Sequence, residues 1–139
     1  MNDIARKEVN EALLAGQRVL DSLDKASRYL DKARTWGVID IIGGGFISGL
    51  MKHSNLSDAQ ACLNGVKRDM EDFKRELRDV SMVCDFDVEI GTFLTFADFF
   101  WDGLIADFMV QSRINETRRN VEQARAKVVA MMNSLRSIH

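Results

Sequence analysis

The fold is decided by residues 9–33, VNEALLAGQRVLDSLDKASRYLDKA, in which apolar side chains recur at alternating steps of three and four residues. This spacing places them along one side of an α-helix. A second series, rich in small side chains, recurs every seven residues beside the first and widens the apolar face. The first series is Val9, Leu13, Gly16, Leu20, Leu23, Ala26, Leu30 and Ala33, and the second is Ala5, Ala12, Val19, Ala26 and Ala33. We therefore expect a long amphipathic helix that contacts two neighbouring helices.

Two further stretches show helical periodicity. Apolar residues over 59–80 predict a second helix, and Ser57 followed by Gln60 has the pattern of a capping box at its start. Over residues 114–138 the heptad is regular apart from Thr117. These stretches predict two more amphipathic helices.

Basic residues flank the heptad seam of the last helix, at positions where charges usually pair with a neighbouring helix. The basic residues are Arg113, Arg118, Arg125 and Lys127, and the expected acidic partners include Asp24, Asp31, Asp69 and Glu76. Such pairing is compatible with more than one orientation, so it does not fix the topology.

The pattern changes between the second and last helices. Phe86, Val88 and Ile90 alternate with acidic residues, which is typical of a half-exposed strand or extended segment. From residue 96 helical spacing resumes in an aromatic segment (residues 93–108) that either continues into the last helix or bends near Gly103. We expect an extended connector at 84–92 followed by a helix.

A Gly-rich corner (residues 38–51, VIDIIGGGFISGLM) follows the first helix, which we expect to end at Gly37. The corner matches neither phosphate-binding glycine motif. Ser48 stands where the dinucleotide fingerprint needs glycine or alanine, and Leu50 and Met51 stand where a P-loop needs lysine and a hydroxyl residue. The favoured interpretation is a sharp turn that seats a short apolar helix against the aromatic segment. A membrane-seeking tip and an anion held at the short helix's N-terminus are the alternatives.

These patterns predict an all-α fold, an elongated antiparallel and coiled-coil-like helical bundle in a single domain over residues 1–139. Its three long helices are expected at about 3–35, 57–81 and 96–137, and its one short helix at about 45–52. Because these helices differ in length, they cannot cover one another completely, and part of the apolar stripe should stay exposed on the first and last. This predicts self-association, most simply as a twofold homodimer.

Composition excludes several classes of protein. The formal charge of −2 gives no overall attraction to nucleic acid, and the basic last helix supports at most a non-specific phosphate contact. Cys62 and Cys84 have neither disulfide nor zinc-site spacing, which favours a reducing, cytoplasmic setting. The N-terminus lacks the apolar core of a secretory signal, and the apolar run 38–51 is shorter than the roughly 20 residues that span a bilayer.

Chemistry-bearing residues are scarce. The sequence has no G-x-S-x-G and no Glu-x-x-His pair, and its histidines are His53 and His139. Asp98 and Asp102 lie one helical turn apart, where capping and solvated carboxylates are a simpler explanation than a hard-cation site. We expect no metal, no cofactor and no enzymatic activity. The candidate interaction residues are Trp36, Asp40, Gly43, Gly44, Gly45, Gly49, His53, Asp98, Trp101 and Asp102.

Trp101-Asp102-Gly103 resembles the W-x-G triplet of the small secreted WXG-type helical hairpins. In that family the triplet lies in the turn between two helices. Here it falls late in the chain and inside a predicted helix, so the resemblance covers three residues and does not place the chain in that family.

The expected function is a non-enzymatic interaction or scaffold protein that self-associates or binds a partner helix through apolar heptad stripes. The alternative is a membrane-active helical protein that inserts the Gly-rich corner and the aromatic segment. A small-ligand or anion pocket between the corner and Trp101 is a third hypothesis.

Overall fold

A computed structural model describes residues 3–43, 46–85, 87–104 and 114–137, and the side chains of residues 3–31, 61–85, 87–104 and 115–137. These ranges contain four helices, α1 (Asp3–Gly43), α2 (Phe46–Val83), α3 (Asp87–Leu104) and α4 (Ile114–Arg136). The other described residues, 84–85 and 137, form a bend and a turn. The predicted all-α helical bundle is confirmed. The predicted sizes match only loosely, because two long helices pair with two shorter ones.

The four helices form an antiparallel bundle in which α1 and α3 each pack against both α2 and α4. Arg118 pairs with Asp31 and Arg125 with Asp24, so residue numbers along α4 and α1 run in opposite directions. Lys74 of α2 pairs with Asp98 of α3, and Lys67 lies over Trp101. Residue numbers along α2 and α3 therefore also run in opposite directions.

The core consists of the stripes that the sequence predicts. Each helix buries apolar residues at alternating steps of three and four, so one face of every helix is removed from water. Typical members are Val9, Val19, Leu23 and Leu30 of α1, Leu63, Val66, Phe73 and Leu77 of α2, Ile90, Phe93, Ala97 and Phe100 of α3, and Val121, Ala124, Val128 and Leu135 of α4. Thr117, the one polar residue of the α4 heptad, is also buried.

Gly16 lets three helices approach closely. A Cβ atom at this position would lie 2.9 Å from both Cγ and Sδ of Met132 in α4 and 3.2 Å from Cε1 of Phe73 in α2. Such distances are shorter than ordinary van der Waals contact, so the missing side chain is what admits its two neighbours.

The predicted boundaries around the Gly-rich corner are wrong. Helix α1 continues through Gly37 to Gly43, and α2 begins at Phe46 rather than at Ser57. Residues 46–52 of the short helix expected at 45–52 therefore lie within α2. A glycine inside a helix costs only about 1 kcal/mol, which is too little to end a helix by itself. Likewise, a capping-box sequence satisfies only local hydrogen bonds and does not require a helix to start there.

The predicted extended connector at 84–92 is also wrong, because α3 begins at Asp87. The alternation suggested that Val88 and Ile90 share a buried face, but Val88 is exposed and Ile90 is buried with Phe93. Burial of two residues three positions apart, with the residue two positions earlier exposed, is the pattern of a helix. The helix expected over 96–137 is divided into α3 and α4, and residues 105–113 between them lie outside the described residues.

The helices differ in length by a factor of about two. With 41 and 38 residues, α1 and α2 are each roughly 60 Å long, whereas α3 and α4 have 18 and 23. Arg118 near the start of α4 pairs with Asp31, beyond which α1 continues as helix for about three turns. No helix within the described ranges is long and apolar enough to cross a bilayer.

Candidate interaction surface

Helix α3 carries an exposed stripe opposite its buried face. Val88, Thr92, Thr95 and Phe99 follow one another at steps of four, three and four residues, which aligns them along one side of the helix. Val88 is 78% exposed and Phe99 is 73% exposed. We call these four residues the outward stripe. Its spacing is that of a coiled-coil seam, but it faces solvent instead of the core.

The hydroxyl groups of the two threonines in the outward stripe donate hydrogen bonds within the helix, so their methyl groups are the part available for apolar contact. Thr92 Oγ1 donates to the carbonyl oxygen of Val88 at 2.8 Å, and Thr95 Oγ1 donates to that of Gly91 at 3.0 Å. Both hydroxyl donors are therefore bonded within the helix itself. The stripe is consequently more apolar than its sequence indicates.

Aromatic packing beneath α3 fixes which of its faces points outward. Phe93 meets Phe73 of α2 in a T-shaped contact with ring centroids 5.2 Å apart. Phe96 and Phe100 stack with centroids 5.9 Å apart on the side toward α4. The first contact anchors α3 on α2, whereas the second joins two residues of α3 itself. Both fix ring orientations, because edge-to-face and offset ring pairs have preferred geometries.

Two adjoining grooves run between α3 and α4, and Phe96 lines both of them. The groove near the start of α3, of about 240 Å³, is lined by Val88, Glu89, Thr92, Phe93, Phe96, Lys127, Ala130, Met131 and Ser134. The second, of about 250 Å³, is lined by Phe96, Phe99, Phe100, Gly103, Asn120 and Gln123. Three residues of the outward stripe therefore contribute to the groove walls.

Two more exposed apolar residues end α2, shortly before α3 begins. Met82 is 82% exposed and Val83 is also exposed, and both precede Val88 by a few residues. Exposed apolar residues scattered singly are normal on protein surfaces, whereas large contiguous apolar patches are typical of interaction sites.

Every charged residue of α3 is acidic, and one of them pairs with a buried lysine. Lys74 Nζ of α2 lies 2.5 Å from Asp98 Oδ1 and 3.4 Å from Glu71 Oε1. The hydrogen bond to Asp98 raises the pKa of Lys74 above its ordinary value, and this effect outweighs the lowering caused by desolvation. Lys74 therefore stays charged although its side chain is only 9% exposed.

Two other lysines next to α3 lie over aromatic rings. Lys67 Nζ of α2 is 5.3 Å from the centroid of Trp101, and Lys127 Nζ of α4 is 5.7 Å from that of Phe96. Both distances fit cation–π contact. The lysines on each side of α3 are thus directed at its rings.

A carboxylate cluster lies between α1 and α2. Oxygens of Glu8, Glu76 and Asp79 all lie within 4.8 Å of one another. Glu8 Oε2 and Glu76 Oε2 are buried, and neither receives a hydrogen bond from the described residues. Burial raises the pKa of Glu76, the negative charge of Glu11 raises it further, and Arg75 opposes the shift.

This cluster is the group of described residues whose oxygens are placed to hold a cation. Calcium usually takes roughly six to eight oxygen ligands, so three carboxylates would supply only part of a coordination shell. The buried oxygens and the raised pKa of Glu76 instead indicate crowded negative charge that favours binding a proton.

The candidate residues identified from the sequence fall into three groups. Asp98 pairs with Lys74, Trp101 is half-buried under Lys67, and Asp102 is exposed one turn after Asp98. Gly44 and Gly45 lie outside the described residues. The backbone of the others is helical, but their side chains lie outside the described residues: Trp36, Asp40, Gly43, Gly49 and His53.

The ion pairs expected between the last helix and its neighbours are found in part. Arg118 Nε lies 2.6 Å from Asp31 Oδ1, and Arg125 Nε donates to Asp24 Oδ1 at 2.9 Å. The other two acidic candidates behave differently. Asp69 accepts a hydrogen bond from Ser22, and Glu76 belongs to the carboxylate cluster.

The sequence interpretation missed the outward stripe and the carboxylate cluster. The spacing of the stripe is plain in the sequence, but the overlapping alternation at 84–92 is also typical of an extended segment. The cluster had no sequence signal, because Glu8 and Glu76 are 68 positions apart.

Comparisons of the chain with protein-family models, with curated proteins and with solved structures each found no match. The function proposed for it therefore rests on its own residues.

Proposed function

We propose that this chain is a non-enzymatic interaction protein that binds a partner helix along the outward stripe of α3. The observation that carries the proposal is the row Val88, Thr92, Thr95 and Phe99, exposed at coiled-coil spacing beside an apolar groove. Helix-in-groove recognition uses anchors at such intervals, and the α3–α4 groove runs alongside this row.

Helix α3, which carries the stripe, is fixed by packing against α2, and its backbone beside the stripe is accessible. The Phe73–Phe93 contact fixes the rotation of α3, so the stripe does not need to be ordered on binding. A Cβ atom at Gly91 or at Gly103 would meet nothing within 4 Å. A partner helix can therefore approach the backbone of α3 on both sides of the stripe.

The heptad stripes of α1 and α4 do not provide this surface. Val121, Ala124, Val128 and Leu135 are all buried within the chain's own bundle, as are Val9, Val19 and Leu23. Among the residues whose side chains are described, the exposed large apolar residues are Val88 and Phe99 of α3, Met82 and Val83 at the end of α2, and Ile4 and Leu14 of α1. The twofold homodimer stays a prediction.

Binding to a designed peptide tests the proposal. The probe is an 18-residue helical peptide with leucine at coiled-coil positions and uncharged polar residues elsewhere. We expect chemical-shift changes concentrated in α3 and loss of binding in Phe99→Asp. The matched control is Leu14→Asp, because Leu14 is 63% exposed on α1, a helix that packs on α2 and α4. Equal loss in both variants, or shifts confined to α1, would contradict the proposal.

Membrane insertion of residues 38–51 and 93–108 is separated from helix binding by vesicle flotation. The interaction proposal expects the protein to stay with the aqueous fraction when mixed with phosphatidylcholine vesicles. Flotation that depends on Phe46 and Ile47 would favour insertion instead. The cytoplasmic location inferred from the cysteine spacing also stays a prediction.

A further inference from the structure

We infer that the partner helix carries lysine or arginine beside its apolar stripe; this rests on the proposed function and specifies its partner. The structure points to a cationic amphipathic helix because the outward stripe is bordered by carboxylates on both sides.

The acidic residues of α3 are placed where they would form ion pairs with the basic residues of such a helix. Glu89 lines the groove on the α4 side, and Asp98 lies on the α2 side, where it meets Lys74. Asp87 is eleven residues before Asp98 and therefore lies on nearly the same side. Asp102 continues the line of the stripe three residues after Phe99. The sequence of α3 contains no lysine or arginine to offset these four charges.

The basic residues around α3 leave these carboxylates largely unneutralised. Lys74 pairs with Asp98, while Lys67 and Lys127 lie over Trp101 and Phe96. Among the described residues, no ion pair involves Asp87, Glu89 or Asp102. Three carboxylates beside the stripe thus face solvent, where basic side chains of a docked helix would meet them.

The same charges disfavour a second copy as the occupant. In a twofold pair of α3 helices, each acidic border would face the acidic border of the other copy. Like charges brought together at an interface oppose association, whereas a basic helix gains from each contact. The inference therefore commits to a different chain.

Three matched peptides test the inference on the full chain. They share one leucine stripe and differ only at the flanking positions, which carry lysine, glutamine or glutamate. Exposed ion pairs contribute modestly, so we expect the lysine peptide to bind about tenfold more tightly than the glutamate peptide at low salt. The preference should shrink as salt is added.

Neutralising variants locate the effect. Glu89→Gln combined with Asp102→Asn should weaken the lysine peptide several-fold and leave the glutamine peptide unchanged. Asp21→Asn on the exposed side of α1 is the control and should change neither affinity.

The outcomes separate the two proposals. Equal affinity for all three peptides, lost in Phe99→Asp, would overturn the charge inference and leave the proposed function standing. Binding of none of them would count against both. Sedimentation showing a dimer that Phe99→Asp abolishes and Leu14→Asp retains would make a second copy the occupant and overturn the inference.

Discussion

Lys74 Nζ of α2 lies 2.5 Å from Asp98 Oδ1 of α3, and this contact brings a buried ammonium group to an exposed carboxylate. The pair links α3 to α2, and α2 in turn packs along α1. It also sets one edge of the outward stripe, because Asp98 is adjacent to Phe99.

Asp98→Ala should destabilise the protein by about 1 kcal/mol, since it removes a charge-assisted hydrogen bond and leaves Lys74 with the weaker Glu71 contact. Asp102→Ala is the control, one turn further along the same helix, and should change stability by less than about 0.5 kcal/mol. Urea denaturation measures both. Equal effects would mean that the Lys74 contact does not stabilise the fold.

The same pair predicts a stability change at alkaline pH. The pKa of Lys74 is raised above 10.5 in the folded state, so the native protein holds this proton more tightly than the unfolded chain does. Its contribution is complete below that ordinary value and is lost as the pH rises through the raised pKa. Unfolding free energies measured from pH 8 upward should therefore fall more steeply in the wild type than in Lys74→Met.

Glu76→Gln should stabilise the protein at neutral pH. Burial and neighbouring carboxylates raise the pKa of Glu76 above its ordinary value of 4.5, so ionisation is less favourable in the folded state than in the unfolded one. Wild-type stability should fall as the pH rises from 4.5, the ordinary pKa, to the raised pKa of Glu76 in the folded state. The advantage of the variant should disappear near pH 4.5 and below.

Thermal unfolding of both proteins from pH 4 to pH 8 checks this prediction. The control is Glu122→Gln at an exposed position of α4, which should leave the stability nearly unchanged. A Glu76→Gln variant that is less stable than the wild type at pH 7 would show that the carboxylate forms a favourable interaction there.

Two glycines inside helices should respond in opposite ways to the same substitution. Gly65→Ala should stabilise the protein by about 0.5–1 kcal/mol, because the added methyl meets only the tip of Arg68 at 3.9 Å and alanine is the better helix former. Gly16→Ala should destabilise it by about 1 kcal/mol, because overlap with Met132 and Phe73 outweighs that gain. Chemical denaturation of the pair checks the sign of each effect.

The long-range periodicity of the sequence predicts the core well. Val9, Leu23 and Leu30 are buried as expected in α1, and so are Val121 and Leu135 in α4. Periodic burial is a property of each helix taken alone, and many residues contribute to the signal. A single residue out of pattern, such as Thr117, does not obscure it.

Local signals were less informative, since neighbouring residues overrode them. Gly37 and the Ser57 capping pattern each contribute only about 1 kcal/mol, and the helix continues through both positions. At residues 84–92, alternation over a few residues fits both a strand and the first turns of a helix. Burial of Ile90 and Phe93 on a common face decides between them.

The candidate surfaces depend on how helices meet. Nothing in the local sequence brings Glu8 next to Glu76, because that contact follows from the register of α1 against α2. The apolar character of Thr92 and Thr95 depends on where their hydroxyls point, which a residue type does not specify.

The exposure of Met82 provides a chemical reporter at the C-terminal end of α2. Its thioether is open to peroxide, whereas Met70, Met131 and Met132 are shielded in the core. Oxidation footprinting would modify Met82 well before these three, and a ligand covering the end of α2 would slow the formation of its sulfoxide.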